Sequence, residues 1–91
     1  MTDITHDENR MRYSLFTDGH EAYLTYERPR EGHRHITHTI VPGPIGGRGY
    51  GHQLVKAIMQ DIIQAGETVS SECWFASALI EKKADWAVMQ A

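Results

Sequence analysis

Val41-Pro42-Gly43-Pro44-Ile45-Gly46-Gly47-Arg48-Gly49-Tyr50-Gly51 is the stretch on which the fold turns. It leaves a run of β-branched residues and enters a run with helical spacing. Upstream, His35 to Val41 carries Ile36, Thr37, Thr39, Ile40 and Val41, which predicts a strand. Pro42 ends that strand, because proline has no N–H to give a ladder. Downstream, Leu54, Val55, Ile58, Met59, Ile62 and Ile63 form one apolar stripe. They predict a helix from about Tyr50 to Ala65, with Gly66 as its left-handed C-terminal cap. A glycine-rich loop between a strand and a helix is a candidate anion cradle. The first helical N–H groups have no intrahelical partner, the helix dipole puts partial positive charge there, and glycine lets N–H groups close around an anion. Arg48 adds a candidate charge-assisted contact, and a pyrophosphate suits such a site. The same residues also fit a flexible loop that simply begins a helix.

Outward from the loop, Met11, Tyr13 and Leu15 alternate with polar residues and read as a strand. Asp18-Gly19 then predicts a tight hairpin, because a primed turn needs positive φ, and Ala22, Leu24 and Tyr26 form the returning strand. Pro29 to Gly32 reads as a turn. Thr68 to Trp74 is a fourth strand, and a second helix from about Ala76 to Lys83 turns Leu79 and Ile80 inward. The order is β-β-β-α-β-α, an α/β (α+β) fold with a mixed sheet of about four strands, a central helix and a C-terminal helix. The strand–helix–strand crossover favours two parallel strands, with a ligand crevice beyond their carboxyl ends. Residues 1–10 are polar and read as a flexible N-terminus, and 11–91 as a single domain. Too few β-α steps follow the loop for a Rossmann domain, and the absence of Gly-Lys-Ser/Thr excludes a Walker loop.

With 41% hydrophobic and 23% charged residues, the chain of 91 residues has the make-up of a globular protein and not of a disordered one. The net charge is −3 and no lysine or arginine run builds a nucleic-acid footprint. Cys73 is the sole cysteine, so no intrachain disulfide forms and a reducing compartment is the default. The polar start carries no secretory h-region, and no apolar run has the length of a membrane span. A cytoplasmic monomer or homodimer, with no nucleic-acid or membrane partner, is the expectation. His33, His35, His38 and His52 invite a metal reading. In a regular strand, however, His35 and His38 point to opposite faces, and no third ligand is evident. No metal is expected.

His38-Thr39-Ile40-Val41-Pro42, Gly47-Arg48-Gly49-Tyr50-Gly51, Leu54-Val55 and Cys73-Trp74-Phe75 occur in this order. From about Tyr13 to Trp86, the chain resembles the minimal GNAT-like N-acetyltransferase family. The resemblance implies a reduced acetyltransferase sheet and acetyl-CoA as co-substrate. It implies a pantetheine arm along Thr39, Ile40 and Val41, and a pyrophosphate on the N–H groups of Gly47 to Gly51. The cofactor set it implies is Thr39, Ile40, Val41, Gly46, Gly47, Arg48, Gly49, Tyr50, Gly51, His52 and Phe75. Larger relatives insert helices where this chain has only the Asp18-Gly19 hairpin, so an open acceptor groove is implied. The chain departs from the pattern at Gly46, where the superfamily has Arg or Gln, and at Trp74, where proline is frequent. It departs again at Lys83-Ala84-Asp85-Trp86, where the family has a His-Pro-Glu-Tyr-like stretch.

The activity implied is transfer of an acetyl group to an amine of an unidentified acceptor, a protein lysine or a small amine. Such transfer needs a neutral amine, a polarised thioester oxygen and a proton for the leaving thiolate. Cys73, before the second helix, is either an activated nucleophile or a buried inert thiol. His38 is either the base or a strand histidine bonded to neighbouring backbone. Glu72 is a weaker base candidate, placed by alternation opposite Cys73. The alternatives to an enzyme are a coenzyme-A-binding module with no useful turnover, or a partner-binding domain.

Overall fold

A computed structural model describes residues 3–91. Five strands lie in the order β1 (Ile4–Asp7), β2 (Arg12–Thr17), β3 (His20–Arg30), β4 (His33–Ile40) and β5 (Thr68–Ser71). The first four pair antiparallel, and β5 lies parallel to β4. Helix α1 (Tyr50–Ala65) makes the crossover between β4 and β5, and α2 (Trp74–Lys82) and α3 (Ala84–Ala87) follow. At the β2–β3 hairpin Asp18 and Gly19 both have positive φ, 50° and 76°, as a primed turn requires. Gly66 caps α1 at φ 69°, and its N–H reaches the carbonyls of Ile62 and Ile63.

One core forms between one sheet face and the helices. Leu54, Val55, Ile58, Met59 and Ile62 of α1 are buried against Tyr13, Leu15, Ala22, Leu24, Tyr26 and Ile36. Each of the Leu, Val, Ile and Met side chains contributes ~1.5–3 kcal/mol on burial. The other sheet face has no helix of its own and exposes Phe16 and Ile40.

The sheet has one strand more than expected. Residues 4–7, read as loose from their polarity, form β1; the expectation for residues 1 and 2 lies outside the described residues. The strand is held by His6, which stacks on Tyr13 at 3.9 Å and meets the Tyr26 hydroxyl at 2.7 Å. The strand from Thr68 is also shorter than expected. The Ser71 hydroxyl accepts the Cys73 N–H at 3.1 Å, which turns the chain out of the sheet, and α2 begins at Trp74.

A bulge in β4 reorders the faces. Tyr26 pairs with Ile36 and Thr25 with His38, so Thr37 is an extra residue. Ile36 and Thr39 therefore both lie on the α1 side, opposite Tyr26 and Leu24. His35 and His38 both lie on the open side, opposite Glu27 and Thr25. This corrects the regular-strand expectation that the two histidines point to opposite faces.

Candidate functional site

β4 outruns its parallel partner. The last β4–β5 pair is Ile36 with Ser71, and the Glu72 N–H donates to the Ile36 carbonyl at 3.0 Å. Beyond that point the two segments part like a fork. Cys73, Trp74 and Phe75 lead into α2, while Thr37 to Ile40 run on beside β3 alone.

A cavity of about 530 Å³ opens in the arms of this fork. Thr39 and Val41 line it from the end of β4, and Gly46, Gly47 and Gly49 from the loop. Tyr50, Gly51 and His52 line it from the first turn of α1, and Cys73, Trp74, Phe75 and Leu79 from the second helix segment. The structure thus gathers nine of the eleven expected cofactor-binding residues. Ile40 is left out because alternation turns it to the open face. Arg48 is left out because it pairs with the Asp18 carboxylate and also reaches the Pro44 carbonyl at 3.5 Å. The Asp18 hydrogen bond first, with a further bond to Tyr50 and the Asp18 charge, holds the guanidinium above its ordinary pKa.

The loop has the features of an anion cradle. Gly47 and Gly49 hold positive φ, 75° and 83°, and no atom lies within 4 Å of where a Cβ would stand at either. Among the described residues no side chain caps α1, and no acidic residue lies in its first turn to offset the positive end of its dipole. Gly51 is needed for a different reason: a Cβ there would meet Phe75 Cε2 at 2.9 Å. Trp74, 82% exposed, stands edge-on to Phe75 at the cavity's rim. Trp74 and Leu79 were not among the expected cofactor residues. A tryptophan at a family proline position was the one available signal for Trp74.

The two expected catalytic side chains are apart. The Cys73 thiol, half-buried on the cavity side, donates to the Thr39 hydroxyl at 3.6 Å. His38 is exposed on the open face and does not line the cavity. Glu72 lies between β5 and Cys73, and its carboxylate meets His35 Nε2 at 2.9 Å. Among the described residues, no cluster of three His, Cys, Asp or Glu side chains forms a metal-binding group. No helix of the described residues is long and apolar enough to cross a membrane.

Residues 12–89 match the family described as GCN5-related N-acetyl-transferase. Protein NATD1 of Xenopus tropicalis is 28% identical over 81 residues, spanning 87% of this chain and 74% of that protein. Protein NATD1 of Mus musculus is 27% identical over the same span. A GCN5-like protein of Staphylococcus aureus, solved by NMR, superposes with a TM-score of 0.77 at 24% identity, covering 98% of this chain and 87% of that one. That likeness shows a shared fold. With the match over residues 12–89, this chain belongs to the GCN5-related N-acetyl-transferase family.

Proposed function

We propose that the protein is an acetyl-CoA-dependent N-acetyltransferase acting on a primary amine, a protein lysine or a small amine. The observation that carries this reading is the forked cavity with an uncapped helix N-terminus at one end and the Cys73–Thr39 pair inside it. Acetyl-CoA supplies the acetyl group as a thioester. The N–H groups of Gly47 to Gly51 hold the pyrophosphate, for which the loop's open positive-φ glycines and uncapped helix end are suited. The backbone of Thr39 to Val41 borders the pantetheine arm, and Phe75 and Trp74 wall it on the other side. Cys73 is the cavity-side candidate for chemistry, as a nucleophile or as the proton donor to the departing sulfur. The proton-accepting role falls to the open face, where His35 and His38 stand.

A second reading is a coenzyme-A-binding module without turnover. It is favoured by the separation of Cys73 and His38 on opposite faces of the sheet. Calorimetry with acetyl-CoA, followed by thiol release with a panel of amines, tests both. Saturable binding below the millimolar range is expected, and at a hundred times Kd it adds about 2.7 kcal/mol of stability. Binding without release across the panel selects the second reading, and failure to bind at millimolar concentration removes both. Cys73→Ala with full turnover excludes the covalent route.

A further inference from the structure

Helix α2 runs along the cavity and continues past it. Phe75 and Leu79 line the wall at an interval of four, which sets them one above the other on a single helix face. The next position at that interval is Lys83, where α2 ends. Cys73 caps the other end of the helix. At about 1.5 Å of rise per residue, the two ends stand roughly 15 Å apart. The helix therefore spans from the cavity-side thiol to a lysine.

The lysine has a defined seat. Its ammonium lies over the Trp86 ring, 5.3 Å from the centroid. The His52 ring meets the same tryptophan at 6.1 Å between centroids, tilted by 41°. Trp86 is only 4% exposed and belongs to the core, so its ring is a fixed post against which two exposed side chains rest. His52 directly follows Gly51 in the first turn of α1 and lines the cavity. The tryptophan thus brings a cation from the end of α2 beside the helix start that borders the glycine cradle. The stretch from Lys83 to Trp86, which departs from the family pattern, provides both the cation and the ring.

Lys83 and Arg48 differ in their engagements. The Arg48 guanidinium is paired with the Asp18 carboxylate. Among the described residues no carboxylate pairs with the Lys83 ammonium, which has the Trp86 ring as its contact. An exposed cation gains little from a ring face, and a charge-assisted hydrogen bond to a phosphate oxygen is the stronger contact. Acetyl-CoA carries more phosphate than the cradle accounts for. With the pyrophosphate on the N–H groups of Gly47 to Gly51 and the pantetheine arm running toward Cys73, the adenosine ribose leaves the cradle on the side away from the thiol. That ribose bears a third phosphate on its 3′ oxygen.

We propose that Lys83 and His52 form a subsite for this 3′-phosphate, with Trp86 as its fixed floor, so that the protein tells coenzyme A from the 3′-dephospho form. The proposal rests on the acetyltransferase reading and adds a specificity determinant to its cofactor side. Lys83 supplies the charge, and a ring N–H of His52 supplies a second donor.

Calorimetry with acetyl-CoA and with its 3′-dephospho analogue, on the full chain at low salt, tests the subsite. Acetyl-CoA is expected to bind at least about tenfold more tightly than the analogue, and the gap to narrow as salt screens the contact. Lys83→Gln is expected to close the gap by weakening acetyl-CoA alone, and Lys83→Arg to keep it open. Lys82→Gln, the same loss of charge one residue away, is expected to leave both affinities in place. Lys83 is exposed at the helix end, so an unaltered melting temperature is expected for its variants. Equal binding of the two forms by the unmodified protein overturns the proposal. So does a Lys83→Gln variant that keeps the gap or weakens both forms alike, or an equal effect from Lys82→Gln. Any of these outcomes leaves the acetyltransferase reading standing, because both forms still bind. Failure of both forms to bind at millimolar concentration removes that reading and the subsite with it.

Discussion

Gly51 is the residue at which packing and ligand space meet most closely. It sits in the first turn of α1 against the Phe75 ring, with Val41 Cγ2 at 3.5 Å from its missing Cβ. Gly51→Ala forces the ring to move, and the open direction is the cavity that Phe75 lines. Overpacking of this kind is expected to cost about 1 kcal/mol of stability. Acetyl-CoA affinity is expected to fall about tenfold, the equivalent of ~1.4 kcal/mol. Paired denaturation and calorimetry check this, and unchanged affinity alongside lowered stability would show that the ring moves elsewhere. The glycines of the loop were legible one by one, because their spacing before a helix marks a candidate anion cradle. The state of Arg48 was not. Its partner Asp18 lies thirty positions away in the hairpin, and no local pattern reports that the guanidinium is already engaged.

At the scale of the element, α1 was the most legible part of the chain and β4 the least. The apolar stripe of α1 gave its buried face at Leu54, Val55, Ile58, Met59 and Ile62, whereas Ile63, read as part of the same stripe, is exposed at the helix's last turn. Ile58 lies at its centre with no exposure, between the sheet and the rest of the core. Ile58→Ala is expected to destabilise the protein by about 3 kcal/mol, read as a lower urea midpoint with an unchanged m-value. A loss below 1 kcal/mol would mean that the thin core collapses around the gap. β4 carried a β-branched run that identified it as a strand, but an inserted residue leaves no mark in such a run. Thr37 is as β-compatible as its neighbours, yet its insertion moves His38 to the open face and Thr39 to the cavity. β1 was missed because four residues give too little alternation to read. Its anchor, His6 on Tyr13, is a contact between strands and not a local propensity.

At the scale of the whole molecule, titration is expected to govern stability in acid. Burial first, and then the charge of Arg34, holds His6 below its ordinary 6.5, and His33 is likewise depressed. Just below 6.5 the unfolded chain therefore binds protons that the folded chain refuses, and stability falls as pH drops through that range. Glu67 acts later. Burial pushes its pKa up, but the hydrogen bond from Arg28 and the charge and bond of Arg34 outweigh this and hold it below 4.5. Its contribution is complete above 4.5 and is lost as pH falls through the lower folded value. The melting temperature, followed by circular dichroism, is expected to decline in two stages with these onsets, and a level value between about pH 7 and about pH 5 contradicts the histidine stage. The closing residues bear on another collective property. The Val69 N–H donates to the Met89 carbonyl at 2.8 Å, and the Ala91 N–H to the Val69 carbonyl at 3.1 Å. At Val69 the outer rim of β5 is therefore already stitched to its own chain. A foreign strand finds no template there for edge-to-edge aggregation, which leaves the broad uncovered face, and not that rim, to meet other molecules.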